Sequence, residues 1–430
     1  MGKNIVTILL LMLFSCISLL TPASAENAVR YTWESCVKTA LAHNPDLLSS
    51  REIINQKKAA RGIARSPLLP QISATASGEK SSGSSGAGYG STERYAYGIT
   101  AKQLVFDGFK SVYDLKSADA EINSSLYNYS ATSATVRYNL KTAFISLLKA
   151  QEMLAILEEI EQRRKHILEL VKMKYESGSE HRGSYYFARA DYLQSQADVK
   201  SAIREISLRK KTICYIMGME EPPDFSVTGD LTLLASYDLK PDFIFLAANN
   251  PTYRKSMSTV NAALYELKSS KLAYSPELYG TGSAGRSGDS PGSMSGNWSV
   301  GFEITAPLFS GGETWYSHER AKALYRQAQC DEKSVKNEVM RSLEESWNNL
   351  RDSIDTVEVQ KETLTAALER SKIGETQYSI GRLTFDNWTI IESNMANTKK
   401  AHLTACAAAL DAEAQWIYAT GGSLDYENKK

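Results

Sequence analysis

Residues 66–78 read SPLLPQISATASG, and residues 274–285 read YSPELYGTGSAG. In both, a helix-friendly stretch ends at a proline and alternating small residues begin. A proline disfavours helical backbone at the residue before it, so each stretch is expected to mark a helix stop and a strand start. Upstream lie helices expected over Trp33 to Arg65 and Asp242 to Tyr274, each interrupted early by Asn-Pro.

The similarity extends outward at a constant offset. Ala42-His43-Asn44-Pro45 matches Ala248-Asn249-Asn250-Pro251, and Pro70 matches Pro276, all 206 residues apart. Beyond the strands the offset is 203: Phe106-Asp107-Gly108 matches Phe309-Ser310-Gly311, Tyr175 and Gly178 match Tyr378 and Gly381, and Tyr215 and Gly218 match Tyr418 and Gly421. The three-residue change falls in a Gly/Ser-rich segment, where a loop absorbs it at little cost. The chain is therefore two copies of one unit.

Each copy reads helix, strand, strand, long helix, return helix. Trp298, Val300, Phe302 and Ile304 alternate with Ser299, Gly301, Glu303 and Thr305, giving one apolar and one polar face. Tyr95, Tyr97 and Ile99 do the same in the first copy, as do Ile72, Ala74 and Ala76. Strands of about ten residues are expected, joined by flexible connections, EKSSGSSGAGYGSTER and GRSGDSPGSMSGN. Ser111 to Ser177 then runs 67 residues without Gly or Pro, and Glu313 to Ile373 runs 61. At 1.5 Å per residue the first makes a rod of about 100 Å. Leu140, Phe144, Leu147, Leu154 and Leu157 have coiled-coil-like spacing and call for neighbouring helices.

The chain divides accordingly. A signal segment takes 1–25; a first repeat, 26–218, holds a strand pair (71–105), a long helix (109–177) and a return helix (184–217). A connector, 219–241, leads to a second repeat, 242–421, with its strand pair at 277–309, long helix at 313–380 and return helix at 385–420; a tail, 422–430, follows. Lys3, the apolar run Ile5–Leu20 and Ala23-Ser24-Ala25 form a signal peptide cut after Ala25. The rival is lipidation at Cys16, in LFSC. No later run of 18 apolar residues predicts a membrane-spanning helix.

Lys+Arg 49 against Asp+Glu 49 gives no basic surplus for nucleic acid. Cys36, Cys214, Cys330 and Cys406 are far apart in helical patterns and read as buried free thiols. The five histidines lack metal-ligand spacing, and no nucleophile–base set appears, so neither enzyme nor cofactor is expected. Gly280–Gly285 fits G-x-G-x-x-G, but loop rather than helix is expected after it, against a nucleotide site. EEIEQRRKH (residues 158–166) reads as the polar face of a long helix.

Four two-faced strands leave bare edges, and ten residues is the length of a tilted strand crossing a bilayer. Sheets in lipid must close on themselves, and four strands enclose no pore, so several chains must contribute. The sequence resembles the TolC-like outer-membrane efflux proteins through TWESCVKTALAHNPDLLSSREIINQKKAARGIARSPLLPQISATA, QLVFDGF, LAANNP, SPELYGTGS and APLFSGG. The resemblance implies a homotrimer with a twelve-stranded outer-membrane β-barrel and a long periplasmic α-helical barrel. It also implies partners: outer-membrane lipid, a periplasmic adaptor and an inner-membrane pump. Pro67, Pro70, Gly108, Pro276 and Gly311 then sit at helix-to-barrel junctions. The turns at Gly178 and at Gly381-Arg382-Leu383-Thr384 become adaptor-docking tips, with Asp386 and Asn387 as candidate aperture residues. The expected function is a passive export duct for small molecules. Type I protein secretion is the alternative within that class, and a periplasmic coiled-coil scaffold the alternative outside it.

Overall fold

The computed structural model describes residues 29–85, 88–220, 224–232, 237 and 239–424. The signal segment, with Cys16 and Ala25, lies outside them, as do parts of the connector and tail.

In chain order the elements are β1 (Val29–Tyr31), α1 (Trp33–His43), α2 (Pro45–Arg65), β2 (Gln71–Ser85), β3 (Gly88–Phe106), α3 (Lys110–Glu176) and α4 (Arg182–Met217). There follow β4 (Phe225–Val227), α5 (Phe243–Asn249), α6 (Pro251–Leu272), β5 (Glu277–Gly288), β6 (Ser295–Thr305), α7 (Glu313–Ser379) and α8 (Phe385–Ala419). The two long helices have 67 residues each. The second exceeds its glycine-free run because it continues through Gly374, one glycine being tolerable in a well-packed helix.

Local chemistry sets these boundaries, and does so twice. Asn44 caps α2 by accepting from the Leu47 N–H at 3.0 Å, and Asn250 caps α6 by accepting from the Thr252 N–H at 2.8 Å, each followed by Pro at the first helical position. The Asn-Pro steps are thus helix restarts. The long and return helices of both repeats end alike. Gly178, Gly218, Gly381 and Gly421 all have φ between 77° and 84°, and the next residue's N–H reaches back to a carbonyl five residues earlier. These are Schellman caps, whose left-handed position favours glycine.

The chain forms two compact units that do not coincide with the repeats. The first gathers residues up to Ala42, Leu140–Thr232 and Thr363–Ala407. In it β1 pairs in parallel with β4, and the Gln151 amide both accepts from the Val227 N–H (3.1 Å) and donates to its carbonyl (3.0 Å). Its core includes Leu157, Ile160, Ala202 and Ala396, with Leu154 partly buried against them. The second gathers His43–Asn139, Leu233–Glu362 and Ala408–Lys430, with a core built on Leu343, Trp347, Leu350 and Trp416. Both units draw chain from the two repeats: in the first, helices of both copies share apolar clusters, while the Trp347–Trp416 core of the second is built from the second copy alone.

The second unit holds an antiparallel sheet of order β2-β3-β5-β6. Its strands have 15, 19, 12 and 11 residues, longer in the first repeat than the expected ten. The Gly/Ser-rich segment expected as a connection is ladder instead, paired out to Ser85↔Gly88. Backbone hydrogen bonds alone sustain a strand pair, so poor side-chain alternation did not reveal it. In the second repeat only residues 289–294 remain between strands. Gly280–Gly285 lies wholly inside β5 with no helix opening after it, which removes the nucleotide reading.

The cysteines partly depart from expectation. Cys36 and Cys214 are buried, Cys406 is half-buried, and Cys330 is exposed on the chain because it falls on the outer stripe of α7.

Candidate functional site: a two-faced sheet and a pair of helical turns

The sheet register sorts side chains cleanly. On one face, rows across the strands read Ile72–Ala101–Gly282–Val300 and Ala74–Ile99–Ala284–Trp298. No described residue covers this face: Trp298, Val300, Phe302 and Ile304 are 78%, 79%, 80% and 72% exposed. On the opposite face the matching row is Ser73–Thr100–Ser283–Ser299, and its hydroxyls pair across strands at 2.7 and 2.8 Å. Nearer the helices Lys102 meets Glu303 at 3.5 Å and lies 3.9 Å above the Tyr279 ring. From Phe106 to Tyr97 the apolar rows span ten residues of β3, nine steps or about 23 Å at ordinary strand rise and a tilt near 40°. That is close to the ~25 Å lipid band of an outer-membrane barrel. The outer strands β2 and β6 each have one unpaired edge in the chain.

The junction residues bracket the sheet. Pro67 lies in a 3₁₀ turn, Ser66–Leu68, and Pro70 and Pro276 directly precede β2 and β5. A bulge between Leu104 and Phe106 precedes the return at Gly108. Gly108 has φ 70° and lies against Ser275, where a Cβ would come within 2.4 Å of the serine side chain. Asp107 then starts α3, accepting from the Ser111 N–H at 2.7 Å and from its hydroxyl. Gly311 occupies the equivalent place, φ 64°. Its follower is Gly312, φ 90°, whereas the first repeat puts Phe109 there at φ 70°.

In the first unit the two helix-to-helix turns lie side by side. Tyr378, at the end of α7, links them. Its hydroxyl donates to Glu180 at 3.1 Å, its carbonyl accepts from Lys174 Nζ at 2.7 Å, and the same ammonium sits 4.2 Å above its ring. Its other face stacks on Trp388, centroids 4.2 Å apart, in a cluster with Ile167, Val171, Ala188 and Phe385. Burial, then the Glu180 charge, pushes the Tyr378 phenol well above its usual range. Glu180 also accepts from Ser184 Oγ at 2.9 Å and from the His181 N–H at 3.2 Å, and His181 caps α4. Of the expected tip residues, Gly178, Gly381, Arg382 and Thr384 are exposed, while Leu383 packs against the aromatic cluster. Asp386 and Asn387 are exposed in the first turn of α8, where an acid suits the helix dipole.

Further along these helices lies an ionic cluster not expected from the sequence. Arg163 of α3 binds both oxygens of Glu392 on α8, donates to Ser371 Oγ of α7 at 2.6 Å, and approaches Glu375 at 3.4 Å. The Glu392 side chain is 2% exposed and also accepts from Ser371 Oγ at 2.8 Å. Arg164 bonds Asp191 at 3.0 Å and donates to Ser393. These two arginines belong to the run read as a solvated polar face; three packed helices turn that face inward. The available signal was a carboxylate and a serine on other apolar-periodic helices, visible only once the partners are known.

The sequence pattern of the outer membrane efflux protein family matches residues 36–209 and again 246–422. The chain belongs to this family. The double match coincides with the two repeats. Among family relatives, the outer membrane efflux protein BepC of Brucella suis is 22% identical over 371 residues, 83% of this chain and 79% of that protein. The pyoverdine export outer membrane protein OpmQ of Pseudomonas aeruginosa is 21% identical over 393 residues, 84% and 78%. The CmeC outer membrane channel of Campylobacter jejuni superimposes with a TM-score of 0.81 over 92% of this chain and 88% of that one, at 18% identity. The fold is that of the trimeric outer-membrane efflux channels, a β-barrel joined to a long helical barrel. No described helix is long and apolar enough to cross a membrane.

Proposed function

We propose that three copies of the chain form the outer-membrane duct of a tripartite export system, passing small molecules outward. The observation that carries this is the bare apolar sheet face backed by a hydroxyl-lined one, with both sheet edges open. In water, that face and those edges would aggregate; in lipid, closure with two sister sheets satisfies every edge and puts the hydroxyls around a wet pore. No constellation for bond-breaking chemistry enters the argument; transport is passive, driven by an inner-membrane pump through a periplasmic adaptor. The names of the efflux and pyoverdine-export relatives favour small-molecule cargo over protein secretion. A periplasmic scaffold would leave the two-faced sheet without a purpose. In this reading Gly178, Gly381, Arg382 and Thr384 face the adaptor. Asp386 and Asn387 line the aperture, and the Tyr378–Glu180 contact holds the paired turns together.

A pair of substitutions at adjacent positions tests it. Val300→Arg puts a charge in the lipid-facing row, costing about 2–4 kcal/mol at the membrane midplane. It should abolish heat-resistant oligomers in the outer-membrane fraction. Ser299→Arg puts the same charge on the hydroxyl face and should assemble, with altered conductance in planar bilayers. Equal tolerance of both, or a wild-type protein that is monomeric and soluble without detergent, would sink the reading.

A further inference from the structure

One cation lies on the apolar face of the sheet where the apolar rows end. Moving away from the helices, the row after Ala74–Ile99–Ala284–Trp298 is Ala76–Tyr97–Arg286–Gly296. Arg286 therefore shares the face of Trp298 and Val300, not that of the serines. Its side chain is exposed and makes no hydrogen bond or ion pair with any described residue. The other cation of this face among the described residues, Lys80, lies farther out and is matched by Glu93 at 2.7 Å.

The surroundings of Arg286 are cleared. Along its strand the same-face neighbours are Ala284 and Gly288, and across on β6 stands Gly296, where an added Cβ would meet nothing within 4 Å. The remaining neighbour is Tyr97 on β3, itself half exposed. An uncompensated guanidinium on a lipid-facing surface is tolerated only near the headgroups, where its stem stays in apolar contact and its charged end reaches out. Tyrosine favours the same depth. A guanidinium there presents paired donors matched to phosphate oxygens, and a phenol beside it supplies another.

We propose that Arg286, with Tyr97 beside it, forms a binding site on the barrel exterior for the phosphate of a phosphorylated glycolipid in the outer leaflet. This rests on the reading that the apolar face meets lipid. The strand ends joined to the helices mark the inner boundary, so the Arg286 row lies at the outer one.

The test uses detergent-purified wild-type oligomer, Arg286→Ala, Arg286→Lys and the control Lys80→Ala, each titrated with diphosphorylated lipid A and counted for bound lipid by native mass spectrometry. Dephosphorylated lipid A and inorganic phosphate form the comparison arms. Expected are at least fivefold weaker lipid A binding in Arg286→Ala, partial recovery in Arg286→Lys and no change in Lys80→Ala. Wild type should bind dephosphorylated lipid A as weakly as the alanine variant, and millimolar inorganic phosphate should not compete. Unchanged binding in Arg286→Ala, indifference of wild type to dephosphorylation, or displacement by inorganic phosphate would each overturn the proposal. If Arg286→Ala does not assemble, the lysine variant and the dephosphorylated arm still decide it. A wild-type protein needing no detergent would instead remove the membrane reading itself, before any lipid is added.

Discussion

Arg163→Met breaks the ionic cluster that joins three helices of the first unit. Removing one partner of a fully buried pair costs about 3–5 kcal/mol, because the other charge is left desolvated. Glu392 is 2% exposed but Arg163 is 32% exposed, so solvent already screens the pair. A loss of about 2–3 kcal/mol is the discounted expectation. Without Arg163, Glu392 keeps only the Ser371 hydroxyl at 2.8 Å. The reverse change, Glu392→Gln, leaves Arg163 beside Glu375 at 3.4 Å and within reach of water, and should cost about 1 kcal/mol. The assay is amide hydrogen exchange of residues 388–396 in the assembled protein, which reads local opening directly. Arg163→Met should speed exchange about 30- to 160-fold, at about 1.36 kcal/mol per tenfold. An acceleration under threefold, or a larger effect from Glu392→Gln, would refute the argument.

Two further outcomes follow from the backbone and the thiols. Gly421→Ala combines a left-handed backbone (φ 84°) with a Cβ 2.3 Å from the Pro251 ring, and should cost about 2–4 kcal/mol in urea unfolding. Gly178→Ala, with φ 77° but open space, should cost only about 1–2. Burial pushes the Cys36 thiol up to about 12, from 9.0. Its share of stability is full below pH 9 and lost as pH rises from 9 toward 12. At pH 8 maleimide should label exposed Cys330 within minutes and leave Cys36 untouched until the chain is denatured.

Much of this was legible because the signals are short-range. The prolines at 70 and 276, the Asn-Pro restarts and the glycine caps each act on backbone within a few residues, and each occurs twice at a fixed offset. The β6 alternation named its own apolar face in the same way. Where the pattern was small and polar, as in residues 79–94, side chains gave no sign of the ladder that the backbone forms. The site residues divide likewise. The turns at Gly178 and Gly381 are local, while Tyr378, Glu180 and the Arg163 cluster gain meaning only from partners about 200 positions away.

By itself the sequence determined the duplication, the helix boundaries and the two-faced character of the strands, since caps, prolines and period-two alternation are decided by neighbours in the chain. Tertiary structure alone decided that β3 pairs with β5 across the repeats and that helices from both copies share the apolar clusters of the first unit. It also decided which charges of α3 turn inward. The physical reason is symmetry: two copies with the same apolar stripes offer equivalent local partners, and only packing selects among them.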